Sequence, residues 1–186
     1  MRKGFVNGVT SLVLAASLTV STSALATTYV GYVSVKGQKQ GQFKGESAAA
    51  ARAKQWMDLT EFKWGVVVPT DTTTGSVTGR RKHEPVCFTK IWGPASPQFF
   101  AAMASNEALT EVDFEFVKPD PSGKEFVFQT VKLTNAQVVQ DRQRLGAEIE
   151  GSTTHLVVTT EEICFAYQRI DITNNDGHTT STDTWQ

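Results

Sequence analysis

The histidines, the cysteines and one adjacent glutamate pair are the residues whose types suit metal or acid–base chemistry, so their spacing decides what they can do. His83, His155 and His178 stand alone, and Cys87 and Cys164 are 77 residues apart. None falls within the short spacings by which zinc-type sites are read from a sequence. Glu161 and Glu162 are neighbours in a strand-like run, which sends their carboxylates to opposite faces; they do not act as a pair and are expected in solvent. No G-x-S-x-G elbow and no phosphate-binding loop occurs, and a triad built from distant residues is a matter of geometry that spacing does not carry. No catalytic residue, metal or cofactor is expected. Arg80-Arg81-Lys82-His83 has the charge to meet phosphates, but the run is short, lacks interleaved aromatics and sits in an acidic chain. A solvated loop or a contact with another subunit suits it better than nucleic acid. Trp56, Trp64, Trp92 and Trp185 have faces on which sugars stack, yet Trp64 shares strand parity with apolar neighbours, which argues for core packing.

These residues must be positioned by whatever follows the N-terminus. There, Arg2 and Lys3 precede an apolar stretch from Leu12 to Val20 and the small-residue sequence Ser23-Ala24-Leu25-Ala26. That order is a secretory signal peptide, with cleavage expected after Ala26. Ser17, Thr19 and Ser21 interrupt the stretch well short of the roughly 20 apolar residues of a spanning helix, so no membrane insertion of the mature chain is expected. Residues 27–186 then form one domain. Arg2 and Lys3 are the only charges removed, which leaves 16 basic against 19 acidic residues and a net charge of −3. Such a chain is a poor general binder of polyanions. An exported protein meets conditions in which one disulfide can form, although both cysteines have strand-like neighbours and suit burial as inert thiols equally well. The expected location is secreted or periplasmic.

Apolar periodicity places the elements. Tyr29 to Gly37 reads as a strand, Gln38 to Glu46 as a polar loop, and the alanine-rich Ser47 to Gln55 as a helical turn or two without an apolar stripe. Leu59 to Val68 reads as a strand with Thr60, Phe62, Trp64 and Val66 on one face. Pro69 to Glu84, apolar only at Val77, is a long connection of the kind that usually has a task. Pro85 to Trp92 is a strand, and Ser96-Pro97 starts a short helix to Ala104 with Ser96 as its N-cap. In Glu111 to Val117, Glu111, Asp113 and Glu115 alternate with Val112, Phe114 and Phe116, so one face is wet and one dry. Lys118 to Lys124 is turn chemistry leading to a strand from Glu125 that continues at Val138. Gln140 to Thr154 is expected to loop out. A last strand from Leu156 shows a phase change between Tyr167 and Ile170 that suggests a bulge, and the polar tail from Thr173 is expected to be poorly ordered. The expected fold is mostly β: a small β-barrel or two-sheet sandwich with one short α-helix and an extended loop.

The order of these pieces resembles the Hcp (haemolysin-coregulated) family. The resemblance rests on Gly75-Ser-Val-Thr-Gly-Arg-Arg-Lys-His-Glu-Pro-Val86, then Thr89-Lys90 and Ala95-Ser96-Pro97-Gln98-Phe99-Phe100, which are similar to that family's extended loop, strand and helix start. Lys132-Leu-Thr-Asn-Ala136 and Glu161-Glu-Ile-Cys-Phe-Ala-Tyr-Gln-Arg-Ile170 resemble its later strands, and Asp176-Gly177 with Asp183-Thr184-Trp185 resemble the tail of one branch; together they span Tyr29 to Gln186. The resemblance implies a non-enzymatic tube subunit of a type VI secretion system. Its partners would be further copies of itself in stacked hexameric rings, a spike protein, a contractile sheath and effector cargo. It also implies that the extended loop, here Thr78, Gly79, Arg80, Arg81, Lys82, His83 and Glu84, meets neighbouring subunits.

Three features depart from the family pattern. Its members usually lack a signal peptide, Gly93-Pro94 stands where they tend to have an acid and a base, and Ala48 to Lys54 is added length. Cys87 and Cys164 replace what are often small hydroxyl residues pointing away from the core, which would set both on one sheet face; a bridge and a pair of free thiols remain the two outcomes. The alternative function is an exported monomeric ligand-binding β-sandwich of the carbohydrate type, which needs an exposed aromatic platform. A periplasmic hydrolase would need a convergent cleft of titratable groups.

Overall fold

A computed structural model describes residues 30–147 and 158–185; the leader expected at residues 1–26, together with His155 and Leu156, lies outside the described residues. β1 (Val30–Gly37) buries Val33 and Val35 completely, as their common parity requires of a strand with one dry face. The polar stretch after it is more than a loop. A turn at 38–40 leads into β2 (Gly41–Gln42), which pairs back on β1, and Phe43 beside it is fully buried. Glu107 holds that turn by accepting the backbone N–H groups of Lys39 and Gln40 at 2.6 and 2.8 Å. Its desolvation opposes ionisation, but the donors from Gln40 and Lys39 outweigh that and keep the carboxyl below its usual range.

Residues 50–55 form the expected hydrogen-bonded turns, with Arg52 N–H donating to Ala49 O at 2.8 Å and Trp56 N–H to Arg52 O at 2.9 Å, and no apolar stripe extends them into a helix. Arg52 pins the segment, lying 4.4 Å over the Tyr32 ring and pairing with Glu115 at 2.5 Å and Glu125 at 2.6 Å. The strand expected from Leu59 to Val68 is three short ones, β3 (Met57–Leu59), β4 (Glu61–Lys63) and β5 (Val66–Val67). β3 pairs with β1, whereas β4 pairs with β7 (Val86–Ile91), so the chain crosses between sheets at Thr60, whose N–H donates to Thr89 O at 2.8 Å. The buried face ends at Trp64, because β5 leaves the body and pairs only with β6 (Lys82–His83). In α1 (Ser96–Ala104) the N-cap is Ala95 and no side chain caps the helix. The Ser96 hydroxyl, expected in that role, accepts instead from the Gly93 N–H at 3.1 Å.

β8 (Leu109–Pro119) and β9 (Glu125–Ala147) make the expected hairpin, with Asp120 Oδ1 accepting the N–H groups of Ser122 and Lys124 at 2.8 and 2.9 Å. β9 does not stop at Gln140. Its residues to Ala147 pair with β10 (Val158–Ala166), and Gln140, Arg142 and Arg144 are one face of that strand. Asn135, at φ 51°, is the corner: β9 pairs with β11 (Arg169–Asn174) up to Thr134 and with β8 up to Ala136, and from Gln137 it pairs with β10. Asparagine tolerates that left-handed conformation better than most residues. The phase change between Tyr167 and Ile170 is the matching corner, where the chain leaves β10's sheet for β11's, and a register shift lies at Cys164/Phe165. The tail is ordered as β12 (Thr179–Thr184), which forms a hairpin with β11.

The ladder order is β2-β1-β8-β9-β10-β7-β4, and the ladders do not close into a continuous barrel; residues 57–63 carry the chain from the edge at β1 to the edge at β7. Phe88, Phe99, Phe114 and Phe165 fill the space between the two halves with centroids 5.6 to 6.5 Å apart, mostly in the edge-on or tilted arrangements aromatic quadrupoles prefer. Above them lies a buried charge cluster. Lys90 and Glu161 are opposite one another in the β7–β10 ladder, both fully buried, with Nζ 3.3 Å from Glu161 Oε1. Glu161, expected in solvent, is therefore inside, on the dry face opposite Glu162. Lys90 also pairs with Glu46 and donates to Ile91 O at 2.7 Å. A Cβ at Gly93 would stand 1.9 Å from Glu46 Oε2, so the glycine is what lets Glu46 reach the lysine. Neither oxygen of Glu161 or Asp141 has a hydrogen bond among the described residues, and desolvation raises the pKa of both carboxyls.

Candidate functional site

The long connection expected from Pro69 to Glu84 is a structured arm. β5 and β6 pair at Val66↔His83 and Val67↔Lys82, and a second bridge joins Thr70 to Val77. Asp71 Oδ1 accepts the N–H groups of Thr73 and Thr74, both at 2.8 Å, and Gly75 takes φ 71° at the tip. From Val66 out to Asp71 a strand reaches about 17 Å at 3.3 Å per residue. Every residue from Val66 to Lys82 except Pro69 is exposed, including Val66, Val67, Val68 and Val77, the last at 67%. Four valines in water on one narrow hairpin are a cluster of exposed apolar side chains of the kind that marks an interaction surface.

Of the seven residues expected at an interface, Thr78, Gly79, Arg80, Arg81, Lys82 and Glu84 are exposed and His83 is not. His83 points into the body, where its Nδ1 is 2.9 Å from the Tyr167 hydroxyl and its Nε2 3.0 Å from Asp183 Oδ2. Tyr167 accepts the Trp64 indole N–H at 2.7 Å, and in the tautomer that carries its proton on Nε2 His83 donates to Asp183 and accepts the Tyr167 hydroxyl at Nδ1. Arg81 grips Asp183 through both Nε and Nη2, and Trp185 stacks on His83 with centroids 5.6 Å apart. The arm's base is thus clamped between the body and the C-terminal hairpin. Sequence reading grouped His83 with the surface cations because a histidine at the end of a basic run carries no burial signal of its own.

The clamp has a pH dependence. The Arg81 hydrogen bond, ahead of the Thr184 N–H and His83, lowers the Asp183 pKa from 3.8 to about 2. A depressed carboxyl pKa stabilises the folded arrangement above the unfolded value, and that contribution is lost as pH falls through the folded one. Indole fluorescence of the wild type should therefore shift between about pH 4 and about pH 2 as Trp185 is released. In Asp183→Asn that acid transition should be missing.

Beside the clamp, Arg80, Arg81, Thr182, Asp183, Thr184 and Trp185 line an open cleft of about 550 Å³, and Arg80 has no ion-pair partner among the described residues. Each indole already has a partner: Trp56 has Arg52 5.2 Å over its ring, Trp64 donates to Tyr167, Trp92 donates to Thr160 O at 2.9 Å, and Trp185 stacks on His83. On the outer face of the other half, Lys63, Cys87, Cys164 and Gln140 form one row across β4, β7, β10 and β9, directly opposed at each step. The Cys87 and Cys164 sulfurs are 2.13 Å apart, at bonding distance, with Cα atoms 4.0 Å apart.

Comparison with known proteins bears on this arrangement. The family model described as "Type VI secretion system effector, Hcp" matches residues 32–173. The "Major exported protein" of Pseudomonas aeruginosa is 30% identical over 166 residues, covering 83% of this chain and 94% of that protein. Among solved structures, a doubly substituted Hcp1 from E. coli EAEC 042 superposes with a TM-score of 0.72 at 25% identity, over 84% of this chain and 99% of that one. The secreted protein Hcp3 from Pseudomonas aeruginosa gives 0.67 at 25% identity, over 87% and 99%. A structure described only as an Hcp protein gives 0.75 at 22%, over 86% and 99%.

Proposed function

The chain belongs to the Hcp family of type VI secretion system proteins, and from that premise we propose that it is a structural subunit that assembles with its own copies into hexameric rings, which stack into a hollow tube. The observation that carries the reading is the exposed valine arm. A hairpin that keeps Val66, Val67, Val68 and Val77 in water while its base is clamped by Arg81, His83 and Asp183 is built to be covered by another molecule. In a ring of identical subunits that molecule is the next copy, and a heterologous contact of this kind closes into a ring when the rotation fits. Arg80 and Lys82, exposed and without ion-pair partners among the described residues, are charges on the arm available to the neighbour. A spike protein, a contractile sheath and effector cargo are further partners on this reading, and no step of it needs a catalytic group. The alternative of a carbohydrate-binding monomer is less well supported, because Trp56 and Trp185 already have a cation or a ring against a face and Trp64 packs against the core, which leaves Trp92 as the one exposed indole without a stacking partner among the described residues.

The leader at residues 1–26 sends the chain through a general export route, to be processed after Ala26. The Cys87–Cys164 bridge belongs to the same reading, since such bonds persist in oxidising compartments.

The test is assembly. Mature wild-type protein sediments as a hexamer, and Val77→Asp combined with Arg80→Glu sediments as a monomer with an unchanged circular dichroism spectrum. Exposed charges add little to stability, typically about 0–1 kcal/mol, so the fold is retained. A wild-type protein that stays monomeric at high concentration overturns the proposal. A doubly substituted variant that still forms rings removes the arm from the interface.

A further inference from the structure

Local spacing excludes a metal site in this chain, but strand pairing assembles three ligand atoms from two distant segments. The sulfurs of Cys87 and Cys164 and a carboxylate oxygen of Glu162 all lie within 4.8 Å of one another on the outer face of the β7–β10 ladder. We propose that in the dithiol form, the form in which the chain is synthesised, Cys87, Cys164 and Glu162 bind one borderline-soft divalent cation of the zinc type.

The geometry follows from the ladder. Cys87 and Cys164 are directly opposed, and Glu162 precedes Cys164 by two residues, so all three project from the same face. With Zn–S near 2.3 Å, two thiolates on a tetrahedral ion stand about 3.8 Å apart. Once the S–S bond is absent, van der Waals repulsion separates two opposed sulfurs to about that distance. The outer shell is already in place: the Gln140 amide donates to Glu162 Oε2 at 3.2 Å and to Cys164 Sγ at 3.4 Å, orienting both ligands together. Lys63 Nζ, 3.2 Å from Glu162 Oε1, is the group the cation displaces. Three protein ligands on a solvent-facing sheet leave a fourth position to water.

Binding converts two thiols to thiolates and releases two protons to solvent. Disulfide formation consumes the same two sulfurs, so metal and bridge exclude one another. The cation therefore ties β7 to β10 before the covalent bond does.

Cobalt(II) is the probe. Reduced with a phosphine, the full chain should take up one equivalent of cobalt with a thiolate-to-metal band in the near ultraviolet, and zinc should abolish that band. The oxidised protein should show no such band. Zinc should raise the melting temperature of the reduced protein and leave that of the oxidised protein unchanged. Cys87→Ser should lose the band. Glu162→Gln, which leaves both cysteines in place, should weaken cobalt binding at least about tenfold with an unchanged circular dichroism spectrum. A folded, reduced protein without the band overturns the assignment, as does Glu162→Gln with wild-type affinity.

Discussion

Cys87→Ser lowers the unfolding free energy by about 4.5 kcal/mol. The bridge closes a 77-residue separation that contains α1, β8, all of β9 and most of β10. In the chain-entropy account a cross-link stabilises by restricting the unfolded ensemble, and the effect grows with the logarithm of loop length; for this separation it comes to about 4.5 kcal/mol at 25 °C. Cys87 and Cys164 occupy opposed positions in an otherwise regular ladder, so the native strands need little adjustment to hold the bond. Urea unfolding of the oxidised wild type, the reduced wild type and Cys87→Ser measures it. The last two should share a midpoint well below the first, and titration of the non-reduced wild type should find no free thiol. Equal midpoints for oxidised and reduced wild type would show that the bond adds nothing to stability.

Lys90→Met costs a similar amount, about 3–5 kcal/mol at neutral pH, for a different reason. Among the described residues Lys90 is the cation that acts on both Glu161 and Asp141, and it is fully buried with Glu161. Removing it leaves carboxylates in a medium that solvates them poorly, and methionine supplies volume but no charge. The sign of the pH dependence follows. Desolvation has already raised both carboxyl pKa values, and a raised carboxyl pKa means that stability is greatest in acid and declines as pH rises through the folded value. Lys90 lowers both, so its loss raises them further. The gap between Lys90→Met and wild type should narrow as pH falls from about 8 to about 4.5. Adding Glu161→Gln should recover part of the loss at neutral pH, because the uncompensated charge goes with it. A gap that does not change with pH would mean that packing around the lysine stem, and not its charge, accounts for the effect.

Much of the body was legible from local pattern. Val33 and Val35, Val112 and Phe114, and Phe99 in the helix all lie inside as their periodicity predicts. The turn at Asp120 closes the hairpin its residues promised. Reading failed wherever burial or order depends on a partner distant in the chain. Glu161 looked like a solvated acid beside Glu162, but its ladder partner is Lys90, and no window of neighbouring residues contains both. The segment after Gln140 looked like a loop because its outward face is polar and its partner strand begins only at Val158. Phe43 was lost in a polar run, although a single buried ring was enough to anchor it.

By itself the sequence determined which faces of β1 and β8 are dry, that one short helix begins beside Pro97, that the chain turns at Asp120, and the family these pieces resemble. Tertiary structure alone decided that Thr60 and Asn135 are crossing points between sheets, that the polar tail becomes β12, that His83 turns inward, and that Cys87, Cys164 and Glu162 share one patch. The reason is range. Periodicity records the contrast between water and core along a few residues, whereas ladder pairing brings together residues dozens of positions apart, and hydrogen bonds between backbones carry no trace of the side chains that will sit across from one another.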